Sequence, residues 1–316
     1  MFQFILRRLF WLVPTLLAIS LITFLVMHAT PGSPLQPTAA NANPLPPEAQ
    51  ANLMRQYGLD RPLHEQYVIF VWKAVRLDFG NSYVYRTREV TDILAATFPV
   101  SLHLGVMAMG FAIIVGVPLG VMAAVKRNGT IDYIASIVAV LGVSFPNFVV
   151  GIFLIVIVVL VFPQIFGFHI IPRTGGWESP VDWILPTIAL GLQPLGILAR
   201  YVRSSMVEVL HQDFIRTAQA KGLAQRRVII GHAVKNGLIP PLTIAGPMFA
   251  AVATGSFFVE YIFRVPGMGR FFVESMSSRD YPMIMAVILL YGVFLAIMNL
   301  VVDALYSVID PRIRLS

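Results

Sequence analysis

Apolar residues along this chain fall in long uninterrupted runs separated by short polar stretches. Crossing about 30 Å of hydrocarbon takes roughly 20 helical residues at 1.5 Å each. Six runs meet that length, near 9–28, 99–125, 133–162, 184–203, 240–262 and 282–305. The pattern therefore predicts an all-α polytopic membrane protein with six transmembrane helices. Pro14, Pro118, Pro146, Pro186 and Pro247 each kink a helix or mark its edge.

Two polar segments break the rhythm. Residues 29–98 are too long for a simple connection and open with a Pro- and Asn-rich stretch from Pro31 to Pro47, expected to be extended. Leu53 and Tyr57, then Tyr67, Phe70, Val71 and Trp72, recur at helical spacing, with Asp60-Arg61-Pro62 as a break between two short helices. This segment reads as a cap over the helix ends, with direct solute contact as the alternative. The second segment, 204–239, repeats Met206, Leu210, Phe214 and Ala218 every four residues, the pattern of one amphipathic helix. Gly222 fits its end, because glycine adopts the left-handed conformation that closes a helix. Leu223 to Val228 then starts a second short helix, making a basic elbow between two spans. A connector resting on anionic headgroups is the simpler reading of the same residues.

Charge sets the direction. Arg7 and Arg8 precede the first run as in a signal peptide, yet the run from Leu9 to Met27 exceeds a usual signal core, so a retained anchor is expected. With the amino terminus inside, Arg7/Arg8, Lys126/Arg127, seven basic residues from Arg200 to Lys235, and Arg312/Arg314 face the cytoplasm. Short outer loops then hold only Arg173 and the trio Arg264, Arg270 and Arg279, so both termini come out cytoplasmic. The division that follows is an anchor helix 1–28, a periplasmic segment 29–98, a core 99–305 containing the loop 204–239, and a cytoplasmic tail 306–316.

Composition narrows the function. The 316 residues are 57% hydrophobic and 12% charged, against roughly a quarter charged in a soluble domain. A net charge of +7 comes from residues spread over the loops, a topology signal and not a nucleic-acid surface. Cysteine is absent, which excludes disulfides and thiolate metal sites. No Gly-x-x-x-x-Gly-Lys-Ser/Thr loop can cradle phosphates, and His64-Glu65 has Val68 where a zinc helix needs its second His. No nucleophile elbow occurs either, so an enzyme is disfavoured and no metal or cofactor is expected in the chain. His103, Glu260 and Asp303 are the chief ionisable groups in the spans, which weakens an ion-coupled secondary transporter or channel as the alternative.

Small and polar residues of the third and fifth spans are the candidates for a translocation pathway: Ser144, Pro146, Asn147, Thr254, Ser256 and Glu260. Arg264, one turn beyond Glu260, is the expected partner of its carboxylate. Gly116 and Gly120 have the small-x-x-x-small spacing of close helix contact.

Arg216-Thr217-Ala218-Gln219-Ala220-Lys221-Gly222 resembles the coupling loop of ATP-binding-cassette importer permeases in its peptide-permease version. Pro31-Gly32, Gly58-Leu59-Asp60-Arg61-Pro62-Leu63 and Asp78-Phe79-Gly80-Asn81-Ser82 resemble the larger subunit of oligopeptide and dipeptide permeases. So do Val265-Pro266-Gly267-Met268-Gly269, Arg279-Asp280-Tyr281-Pro282 and Asp310-Pro311-Arg312. The resemblance implies the type I importer permease fold, a second homologous permease, two ATPase subunits that carry ATP and Mg, and a periplasmic or lipid-anchored solute-binding protein. It implies that Arg216, Thr217, Ala218, Lys221, Gly222, Leu223, Arg226 and Arg227 couple to an ATPase in the bacterial inner membrane. Peptides are the implied cargo, with nickel or glutathione as alternatives.

Overall fold

The computed structural model describes residues 2–32, 46–171, 175–254 and 256–309. Expectations for the extended stretch within 33–45, for Arg173, and for Asp310-Pro311-Arg312, Arg312 and Arg314 fall outside those residues, as does the side chain of Asp303. Among the described residues there is no strand, only an isolated bridge between Asn81 and Glu89. In order the helices are α1 (Phe2–Ala29), α2 (Pro47–Tyr57), α3 (Leu63–Ala74), α4 (Val90–Val125) and α5 (Thr130–Ser144). Next come α6 (Asn147–Leu154), α7 (Phe162–Phe166), α8 (Ile184–Leu210), α9 (Asp213–Ala220) and α10 (Gln225–Val228). The last are α11 (Val234–Gly237), α12 (Ile239–Ala253), α13 (Phe257–Ile262), α14 (Gly269–Ser278) and α15 (Tyr281–Ile309).

Five of the described helical segments are long and apolar enough to cross a bilayer: Leu6–Ala29, Val90–Val125, Asn147–Phe166, Pro180–Leu210 and Tyr281–Val302. A sixth crossing results if Gln225–Gly237 and Ile239–Ala253, which meet at 54°, form one broken span. Pro240 and Pro241 sit just past that bend and have no N–H to give to carbonyls four residues back. Large apolar side chains such as Ile22, Ile114 and Ile157 are more than half exposed, and their recurrence along the long helices suits contact with lipid.

The run at 133–162 is not one helix. Pro146 disfavours a helical Phe145, so α5 stops at Ser144 and a new helix starts at Asn147. From Ile155 to Val161 that helix widens to π geometry. Pro163 explains the slip, because it cannot donate to the carbonyl of Val159 in an α-helical ladder. The fourth element begins at Val90 and not at 99, and the run 240–262 divides into α12 and α13 around 254–256.

By contact the chain forms two compact units, residues 1–99 with 268–296 and residues 100–267 with 297–316. In the first, α2 and α3 lie where the spacing places them, and Gly58 (φ +67) closes α2 just before the expected break at Asp60-Arg61-Pro62. Phe24, Met27, Tyr281, Ile284 and Met285 form one of its apolar clusters. The second is built on α8, approached through glycines. A Cβ at Gly116 would stand 2.9 Å from the Leu195 carbonyl, and one at Gly120 2.6 Å from that of Ala199. The small-residue spacing in α4 thus serves backbone contact with α8.

Candidate functional site: a coupling elbow and a polar helix junction

The elbow following α8 is two short helices, not an extension of one. The chain leaves helix at His211 and Gln212 before α9 begins, which shifts the phase of everything after it. Met206, Val209, Ile215 and Ala218 are the buried positions, whereas Phe214, expected on the apolar stripe, is 38% exposed. Together with Val202, Val228 and Ala233 they make the core under the elbow.

Gly222 closes α9 in a Schellman motif. Its N–H donates to Gln219 O (2.9 Å) and that of Leu223 to Ala218 O (3.4 Å), with Gly222 at φ +76. No atom lies within 4 Å of where a Cβ would sit, so only conformation demands glycine here. Ala224 then caps α10 by accepting from Arg227 N (2.8 Å) and Val228 N (3.1 Å). Of the eight residues expected to couple, Ala218 is buried, Leu223 half-buried, and Arg216, Thr217, Lys221, Gly222, Arg226 and Arg227 are exposed. Arg216 pairs with Asp213 at 3.6 Å, an exposed contact of little energetic weight. The result is a closed turn that leaves Lys221, Arg226 and Arg227 exposed.

The residues expected to line a pathway fall at separate places in the structure. Asn147 Nδ2 donates to Ser256 Oγ at 3.3 Å, joining the N-termini of α6 and α13 across 109 residues. Ser144 and Pro146 are exposed at the break before α6, and the Thr254 hydroxyl donates to Ala250 O (3.0 Å) at the end of α12. Glu260 is 1% exposed, and its carboxylate accepts from Ser101 Oγ at 2.8 Å. Gly267 lies against this contact, since a Cβ there would meet Glu260 Cδ and Ser101 Oγ at 2.5 Å. Arg264, the partner expected from spacing, is exposed with φ +53 and leaves that position to Ser101. His103 packs edge-on to Trp177 and Trp183, at 5.4 and 4.7 Å between ring centres.

Residues 116–315 match the family described as "Binding-protein-dependent transport system inner membrane component", and residues 1–105 match its N-terminal counterpart. The chain belongs to this family of binding-protein-dependent permeases. The dipeptide transport system permease protein DppB of Bacillus subtilis is 43% identical over 316 residues, covering 100% of this chain and 99% of the relative. The oligopeptide transport system permease protein OppB of Escherichia coli is 41% identical, covering 99% and 100%. In structure the chain resembles the inward-facing MetNI methionine ABC transporter, with TM-score 0.53 and 16% identity, over 69% of this chain and 96% of that one. That likeness establishes the shared permease fold.

Two polar centres in this permease escape sequence reasoning. Asp132, 4% exposed at the start of α5, takes Arg203 of α8 in a bidentate pair, with Nη2 to Oδ2 at 2.7 Å and Nε on Oδ1. Asn128 N–H adds a third donor at 2.9 Å, from the turn between α4 and α5. The pair braces α8 just before the elbow, and 71 residues separate its members. In the other unit, Asp280 is 1% exposed and accepts from Ser82 Oγ and from Tyr83 N at 3.1 Å. Burial, with Asp280 as second cause, raises the Tyr83 phenol well above its ordinary range and keeps it protonated. The two motif runs 78–82 and 279–282 therefore meet at one carboxylate.

Proposed function

We propose that this permease is one membrane subunit of an ATP-driven, binding-protein-dependent importer of di- or oligopeptides in the bacterial inner membrane, with both termini cytoplasmic. Full-length likeness to relatives named for dipeptide and oligopeptide transport carries the reading. The elbow supports it: a fixed turn with an exposed basic rim and a packed apolar underside suits a part that transmits movement into α8. ATP and Mg belong to two ATPase subunits, a second homologous permease completes the pathway, and a periplasmic or lipid-anchored binding protein delivers the peptide. The chain's own work is mechanical and not covalent. Arg216, Lys221, Arg226 and Arg227 meet the ATPase, while Ser144, Asn147, Ser256 and Glu260 mark the helix junctions that rearrange around the pathway.

The test is uptake of a labelled dipeptide into vesicles carrying the complete set of subunits. Uptake should require ATP, stop when the ATPase is inactivated, and yield to excess peptide but not to nickel or glutathione. Uptake driven by an ion gradient alone would overturn the proposal.

A further inference from the structure

A cavity of about 560 Å³ lies wholly within the first unit, between α1, α2, α3, the loop before α4 and the start of α15. Phe24, Met27, Ile69, Phe70, Phe79 and Met285 give it apolar walls. Small-molecule sites span about 300–1,000 Å³, and this one falls among them. It also gathers charge. Arg55 and Arg61 line it from the end of α2 and the turn that follows, Lys73 and Asp78 from α3 and the loop after it, and Glu89 from the residue before α4.

These charges divide by what already holds them. Lys73 lies 3.8 Å from Asp78, whose other oxygen accepts the Gly80 N–H at 2.9 Å. No hydrogen bond or ion pair among the described residues engages the guanidinium groups of Arg55 and Arg61 or the carboxylate of Glu89. The Arg61 side chain folds back over the cavity wall, since a Cβ at the lining residue Gly58 would stand 3.7 Å from Arg61 Nε. Glu89 is placed by its backbone, through the bridge to Asn81. The Tyr57 and Tyr83 rings, 4.5 Å apart between centres, complete the wall. Asp280 holds Tyr83 by its N–H, and the Tyr83 hydroxyl, kept protonated by burial, makes no hydrogen bond among the described residues.

We infer that the cavity binds a short peptide as its zwitterion: Arg55 and Arg61 take the terminal carboxylate, Glu89 takes the terminal ammonium, and the Tyr57–Tyr83 wall packs a side chain. Guanidinium groups grip a carboxylate through paired N–H donors, and aromatic rings accept side chains of many shapes. A ligand with only negative charge fits less well, because Glu89 repels it. The inference rests on the proposed import of di- or oligopeptides and gives the permease a peptide site of its own, apart from the helix junctions around Asn147 and Glu260.

The experiment measures equilibrium binding of radiolabelled alanyl-phenylalanine to the permease complex in nanodiscs without the binding protein, alongside uptake by the complete set of subunits. The parental complex should bind the dipeptide. Arg55→Gln combined with Arg61→Gln should weaken that binding on the order of ten-fold and leave binding of the C-terminally amidated dipeptide at its parental level. Glu89→Gln should weaken the free dipeptide and leave the N-acetylated one unchanged. A merely structural role for these residues would move all the ligands alike. Absence of binding in a complex that imports, unchanged dipeptide affinity in the variants, or equal losses for free and blocked peptides overturns the site and leaves the importer standing. Binding without uptake overturns the importer and leaves the site standing. Variants that release the binding protein while dipeptide affinity stays parental assign the arginines to that protein and overturn the site as well.

Discussion

Asp280 and Ser82, 198 residues apart, are joined by a hydrogen bond within a fully buried site. The same carboxylate accepts the Tyr83 N–H, so the residue between α14 and α15 holds the loop that leads into α4. Asp280→Ala would leave those donors without an acceptor, a loss of about 3 kcal/mol. Asp280→Asn keeps the shape and should cost less. Thermal unfolding in detergent checks the order, and an Ala variant as stable as the parent would contradict it.

Gly222→Val should lose peptide-stimulated ATP hydrolysis, because φ +76 costs a β-branched residue about 1–3 kcal/mol and tilts α10. Gly222→Asn should retain most of it, since asparagine tolerates that conformation and nothing crowds the position. Equal activity of the two variants, at matched permease content, would remove the turn from the coupling mechanism.

Charge reversal at Arg226 and Arg227 should weaken ATPase association more at low salt than at high salt, as both side chains are exposed. Co-purification across a salt series reads this directly. An elbow that only rests on lipid would show no such change.

Breaking the Asp132–Arg203 pair from one side should be worse than removing both charges. Arg203→Leu alone leaves the buried Asp132 carboxylate with only the Asn128 N–H, a loss toward the low end of about 3–5 kcal/mol because Arg203 is partly exposed, and Asp132→Asn with Arg203→Leu should recover part of it. A double-mutant cycle on stability measures the coupling.

Two glycines of α4 form a matched pair for testing helix contact. Gly120→Leu places side-chain atoms against Ala199 O and Val202 and should abolish the folded, membrane-inserted protein. Gly110→Leu, where no atom lies within 4 Å, should be tolerated. Fluorescence-detected size exclusion of tagged variants separates the two outcomes.

What sequence reveals here follows from how local each signal is. Hydropathy finds apolar length, so α1, α8 and α15 are legible, and Gly222 announces its turn through chemistry confined to a few residues. The break before Asn147 hides because the residues on both sides are equally apolar, leaving Pro146 as its sole mark. Phe214 misleads because two non-helical residues, 211 and 212, reset the phase of the stripe. Asp132 with Arg203, and Asp280 with Ser82, are invisible to any window, since each is a fact about two distant segments. Glu260 reads as a residue awaiting a salt bridge, yet the hydroxyl that reaches it sits 159 positions earlier.

The bend where Gln225–Gly237 meets Ile239–Ala253 has a mechanical meaning. A continuous α-helix is stiff because every turn is clamped to the next, and two adjacent prolines withdraw two of those clamps at one place. This is therefore a compliant joint between the elbow and the helix it feeds. Under the proposed coupling, a push delivered to Arg226 and Arg227 would be taken up at this knuckle first as rotation, and only afterwards as translation of α12.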